Sequence, residues 1–264
     1  MIRRRFLQAL GVGGASALLS GCTYRSESYR YKLTLSLNTP DGVKTGSVVH
    51  EFTTAHAYSL LNGEVYPYGF RGEALFVDLG PGRKPLITTL KGRCHKTWAP
   101  FCVGENGMNY ESWDIRRATN IFSERWDHIT SGDPQWLDAF PRWKAQHAHL
   151  DLAPIDLPEL VTFDDINDQT TLHLVDPFHL EDVLGPGISW NAITIEVVDA
   201  PLIYSLDKKL PWFAKLLKEE KYTQRGANLD GATISYAPAS GKSTLLNYFA
   251  LSSFQTYWRP DDGK

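Results

Sequence analysis

Residues 31–37 constrain the fold more than any other stretch. Tyr31, Leu33, Leu35 and Leu37 alternate with Lys32, Thr34 and Ser36. Successive side chains of a strand point to opposite faces, so this run reads as a half-buried β-strand rather than a helix. Thr39-Pro40-Asp41-Gly42 is a strong turn, and residues 43–54 return as a second strand. Residues 73–79 turn through Gly80-Pro81-Gly82 into 85–90, a second hairpin. The opening third is thus built of antiparallel hairpins.

Further along, the pattern changes. Pro and Gly interrupt residues 98–143, leaving short helices over 115–126 and 134–143, with Pro134 in a first helical turn. Residues 160–163 and 192–198 predict strands, the second with Ile193, Ile195 and Val197 on one face. Residues 211–222 predict a helix that opens at Pro211 and stops near Gly226, with Trp212, Phe213, Leu216 and Leu217 as its apolar stripe. Residues 243–257 fit a helix or a strand. No repeat or long linker divides the chain, so the expected fold is α+β: one antiparallel, hairpin-rich domain over 30–264 with a few short helices.

The N-terminus reads as an address. Arg3, Arg4 and Arg5 precede a Gly-diluted apolar run over 7–19. That run is shorter than the roughly 20 apolar residues of a spanning helix, and a cationic head before it reads as an export signal over 1–21. Arg3-Arg4-Arg5-Phe6-Leu7-Gln8 resembles the twin-arginine pattern, with a basic Sec signal as the alternative. Leu19-Ser20-Gly21-Cys22 resembles a bacterial lipobox, which makes Cys22 the lipidated residue. Multiple acyl chains make membrane attachment effectively permanent. Thr23 after the anchor favours the periplasmic face of the outer membrane in a Gram-negative host. The polar stretch 22–29 reads as a lipidated tether, its seven residues after Cys22 reaching at most about 25 Å.

Charge narrows the partners. The 264 residues carry 27 Lys+Arg against 30 Asp+Glu. Loss of the signal removes three arginines and no acid, and the remainder is more acidic still. Such a body has no electrostatic footprint for nucleic acid and no adhesion to anionic lipid. With Cys22 acylated, Cys94 and Cys102 remain. Outside the cytoplasm such a pair oxidises, and so short a loop contributes roughly 2–3 kcal/mol; two separate buried thiols are the other reading.

Motifs for chemistry are fragmentary. Ser240-Gly241-Lys242-Ser243-Thr244 ends like a phosphate loop, but Tyr236 stands where its first Gly belongs, so no nucleotide is expected. Ser205-Leu206-Asp207-Lys208 and Lys44-Thr45-Gly46 match motifs of penicillin-recognising enzymes in the wrong order. On a strand, His147, His149 and Asp151 would share a face and form a candidate metal site. A polar strand with solvated histidines is the plainer reading. Asp164-Asp165-Ile166-Asn167-Asp168 is half a calcium loop without its central Gly and closing Glu, and reads as a capped turn. No cofactor fingerprint is present and no catalytic set can be named. Trp98, Trp113, Trp126, Trp136 and Trp143 fall in one segment. They form either a candidate binding surface or the core of an irregular region.

Several blocks together resemble a widespread proteobacterial family of hypothetical proteins. They are residues 31–47, Phe70-Arg71-Gly72-Glu73-Ala74-Leu75-Phe76-Val77-Asp78-Leu79-Gly80, residues 160–168, Gly185-Pro186-Gly187 and Leu210-Pro211-Trp212. The segment 94–108 has no counterpart in that resemblance, which implies no activity. The expectation is therefore an exported lipoprotein of the cell envelope. It binds a protein partner without catalysis, as a neutraliser of a secreted toxin or lipase would. The alternative is an envelope hydrolase with a dispersed site drawn from His147, His149, Asp165 and Asp168.

Overall fold

The computed structural model describes residues 23–59, 63–65, 68–90, 121–128 and 136–214. The expected alternation governs its longest hairpin. Strand β1 (Thr23–Thr39) pairs antiparallel with β2 (Gly42–Ser59) across the Pro40-Asp41 turn. Gly42 takes φ 100°, and Thr39 Oγ1 donates to the Gly42 carbonyl at 2.7 Å. Tyr31, Leu33, Leu35 and Leu37 are all buried, facing the core as their spacing requires.

The larger sheet adds β3 (Gly63–Val65) and β4 (Tyr68–Arg71) beside β2. On the other side of β1 lie β10 (Ser189–Val198) and then β7 (His149–Asp151). Ile193, Ile195 and Val197 are buried, as their shared phase implies. A second sheet runs β5 (Leu75–Val77), β6 (Leu86–Thr88), β8 (Leu160–Phe163) and β9 (Leu172–Val175), every pair antiparallel. Helical elements are few among the described residues: a π-helical turn at Phe122–Asp127, α1 (Trp136–Gln146), α2 (Glu181–Leu184) and α3 (Leu206–Lys209), besides short 3-10 turns. Antiparallel sheets with short helices match the expected α+β class.

The two sheets share one core. Leu75, Val77, Leu86, Leu160 and Val175 of the smaller sheet pack with Leu33, Leu35 and Ile195 of the larger. Gly46 marks a close crossing: a Cβ there would lie 2.5 Å from the Phe76 carbonyl oxygen. The glycine of Lys44-Thr45-Gly46 is thus a place where two sheets touch. The opposite face of the smaller sheet is also covered. Ile87, Val161, Phe163 and Leu172 pack with Leu206, Leu210, Trp212 and Phe213. Both faces are covered, so all four residues of 160–163 are buried, polar Thr162 included.

Three expectations change at the level of local structure. Residues 23–29, read as a tether, form the outer part of β1: Ser26 faces Ala55, Ser28 faces Thr53, and Tyr29 is buried. Their polarity reflects a strand whose ladder partner lies thirty residues away. The helix expected over 134–143 is described from Trp136 and continues to Gln146 through Pro141. Proline cannot donate to the carbonyl four residues back, and the freed Leu137 oxygen instead accepts from Arg25 Nη2 at 3.3 Å. In 115–126 the described part begins at Ile121, and from Phe122 it is π-helical rather than α-helical. Residues 211–214 are helical as expected; the rest of 211–222 lies outside the described residues, as do Gly226 and 243–257.

Candidate functional site

The five tryptophans divide. Trp98 and Trp113 lie outside the described residues, as do Cys22, Cys94 and Cys102. Trp136 and Trp143 are buried in the shared core. Phe140 stacks on Trp143 at 5.0 Å between ring centroids, and Tyr29 meets both rings edge-on. Of the two readings open for them, these two take the core one, because α1 lays them over the aromatic half of β1 and β2. Trp126 is half-buried; its Nε1 donates to Gln146 Oε1 at 3.4 Å and its ring lies 5.6 Å from that of His149.

His147, His149 and Asp151 do not share a strand face. His147 takes φ 46° and ends α1. Its N–H donates to the Lys144 carbonyl, and the Ala148 N–H donates to that of Trp143. This is the left-handed helix stop in which glycine is usual. Only His149 and Asp151 lie on β7, opposite Glu196 and Thr194 of β10. Among the described residues no group of three His, Cys, Asp or Glu could hold a metal ion. The strand-spacing argument failed because a helix ends inside the motif.

The acidic turn is a turn. Asp165 Oδ1 accepts from the Asn167 N–H at 2.8 Å, and Asp168 Oδ1 accepts from the Thr170 N–H at 2.8 Å. Bonds from Thr170 also hold Asp168 below the usual carboxylate range. Asp164 does something else. One of its oxygens lies 2.6 Å from Lys84 Nζ and the other 2.6 Å from His173 Nε2, the histidine coming from β9. Both partners hold the Asp164 carboxylate below its ordinary range, Lys84 most strongly. In this exposed Lys–Asp–His row a carboxylate orients a histidine, as Asp176 also orients His179 at 2.9 Å. Nothing in the spacing of Lys84, Asp164 and His173 revealed it, since the residues just before β6 and just after β8 meet β9 only in the folded sheet.

Two buried titratable groups also escaped the sequence reading. His50 sits inward on β2, its ring 5.2 Å from Tyr31 and 5.0 Å from Phe70. Nε2–H donates to the Glu73 carbonyl at 2.8 Å, whereas buried Nδ1 has no partner. Burial pushes the imidazole pKa down to about 4, against a smaller opposing effect of the Glu73 carbonyl. Gly72 packs on the same ring; a Cβ there would lie 2.4 Å from it.

The Glu73 side chain, also buried, reaches the start of α3. Its oxygens accept from the Ser205 N–H at 2.8 and 2.9 Å, the Leu206 N–H at 3.0 Å and Ser205 Oγ at 3.1 Å. Burial raises its pKa and these bonds oppose the rise. Ser205, first residue of the S-x-x-K match, is thus a structural donor to a carboxylate. The signal available in sequence was phase: His50 falls on the same side of β2 as Val48 and Phe52.

The outer face of the larger sheet is a charged ladder. Glu51 lies between Arg30, at 2.9 Å, and Arg71, one on each neighbouring strand. Lys32 pairs with Glu196 at 3.0 Å. Serine and threonine continue the face toward the hairpin tip, with Ser36 Oγ 2.9 Å from Thr45 Oγ1. The result is a polar surface on a rigid support. No protein-family model, curated protein or solved structure matches the chain.

Proposed function

We propose that this protein is an exported, lipid-anchored binding protein of the bacterial cell envelope, held by Cys22 and acting without catalysis. Capture of a secreted toxin or lipase by an immunity-type mechanism is the version we favour. The observation that carries the reading is the order of residues 3–22: three arginines, a short Gly-diluted apolar run, then Leu19-Ser20-Gly21-Cys22. The outer sheet face supports a binding role. Its charges are held by cross-strand partners, which presents a pre-organised polar surface at little entropic cost. The reading requires no cofactor, nucleotide or nucleic acid. It places the protein on the periplasmic face of the outer membrane in a Gram-negative cell.

Metabolic labelling with palmitate tests the anchor: Cys22→Ser abolishes incorporation, and unchanged labelling refutes it. Capture tests the role. Cross-linking of the native lipoprotein in intact cells recovers a defined protein partner, and its gene deletion sensitises the cell to that partner. Cells equally resistant without the protein would remove the immunity reading.

An envelope hydrolase is the second reading, and the Asp164–His173 pair favours it. Alanine at Asp164 and His173, beside alanine at His147, His149, Asp165 and Asp168, separates the two. Loss of a cellular phenotype with retained folding in the first pair supports catalysis.

A further inference from the structure

The expected tether is absent, because the residue after Cys22 already belongs to a strand. Thr23 pairs with Ala57, and after a bulge the ladder continues without a break from Arg25 to Thr39. The acyl chains of the proposed anchor would therefore attach to the end of the sheet itself. Seven free residues would have given about 25 Å of slack; a strand start leaves the length of one residue.

At that end of the sheet, Tyr58 follows Ala57 on β2, faces Glu64 on β3 and is 43% exposed. Among the described residues the nearby charges are matched rather than cationic: Arg25 with Glu27 and Asp138, Lys144 with Glu27, and His56 with Glu64 at 3.7 Å. Tyrosine concentrates at the headgroup level of bilayers, where its ring is apolar and its hydroxyl wet. The Pro40-Asp41 turn lies at the opposite end of β1, up to about 55 Å away along seventeen strand residues.

Building on the lipid-anchor reading, we infer that the Tyr58 end of the sheet is a membrane-apposed surface seated on zwitterionic lipid headgroups. The hairpin at Pro40-Asp41 projects away from the bilayer. The sheet stands on its anchor instead of swinging from it, and its charged outer face is held at a fixed height. A partner would meet that face side-on.

Quenching measures this. The acylated full-length protein is placed in phosphatidylcholine vesicles containing a headgroup nitroxide lipid, with a fluorescent residue substituted for Tyr58 or for Asp41. The expected result is strong loss of emission at position 58 and none at position 41. A fluorescent residue in place of exposed Glu64 repeats the proximal measurement should the position-58 variant fold poorly. Equal quenching at both ends, in protein whose mass shows the acyl chains, overturns the inference and leaves the anchor intact. A mass showing an unmodified Cys22 removes the anchor reading, and the inference with it.

Discussion

Changing His50 to Phe should remove the acid sensitivity that this residue gives the fold. In the wild type, Nε2–H is bonded to the Glu73 carbonyl and Nδ1 faces a dry interior. Protonation would place a charge and an unpaired N–H in that interior, which holds the folded pKa near 4 against an ordinary 6.5. The sign follows. Between these values the unfolded chain binds the proton and the folded one does not. Stability from this group is therefore complete above pH 6.5 and lost as pH falls toward 4. A shift of this size corresponds to about 3 kcal/mol.

Phenylalanine fits the slot between Tyr31 and Phe70 but leaves the Glu73 carbonyl without its donor, costing about 1–2 kcal/mol at neutral pH. The two stability profiles should therefore cross. His50→Phe is the less stable at pH 7 and the more stable near pH 4. Urea unfolding at half-unit steps from pH 4 to 7.5, read by tryptophan fluorescence, measures both. Parallel profiles would refute a buried neutral His50. Glu73 is present in both proteins, so its own titration cancels in the comparison.

Three other perturbations follow from the same geometry. Glu73→Leu leaves the Ser205 and Leu206 amides without their acceptor and should cost about 2–4 kcal/mol in chemical unfolding. Glu73→Gln keeps an acceptor and costs less. Because burial raises the Glu73 pKa, its favourable contribution is full below the unfolded value and fades as pH rises through the folded one, so the Gln variant should gain on wild type with rising pH. Gly46→Ala sets a methyl against the Phe76 carbonyl and should destabilise by about 1–3 kcal/mol, and an unchanged melting temperature would contradict the close sheet crossing. Trp143→Ala should cost about 3–5 kcal/mol in a denaturant titration, whereas a surface tryptophan would leave the midpoint in place.

Much of the strand pattern can be read locally. The phases of 31–37 and 193–197 name their buried sides, and Thr39-Pro40-Asp41-Gly42 names its turn. The edge strands β3, β4, β7 and β9 had no such signal. They are three or four residues long, too short for a period to show, and exist because a neighbouring strand offers a ladder. The candidate sites were less legible. His147-Ala148-His149 looks like a ligand pair only while it is assumed to be one strand. Asp164 and His173 meet because β8 and β9 form a hairpin, and Lys84 arrives from the segment before β6.

Residue order alone settled which side of β1 faces inward and where its hairpin turns. Each depends on neighbours within a few positions, where backbone geometry and side-chain alternation act directly. The long-range packing settled the rest. Trp136 and Trp143 went to the core because α1 crosses the aromatic half of the sheet. His50 lost its water because the two sheets close over β2. Residues 23–29 became strand because β2 is long enough to pair with them. Polar character is a local property, whereas burial and pairing are decided by what comes to lie alongside.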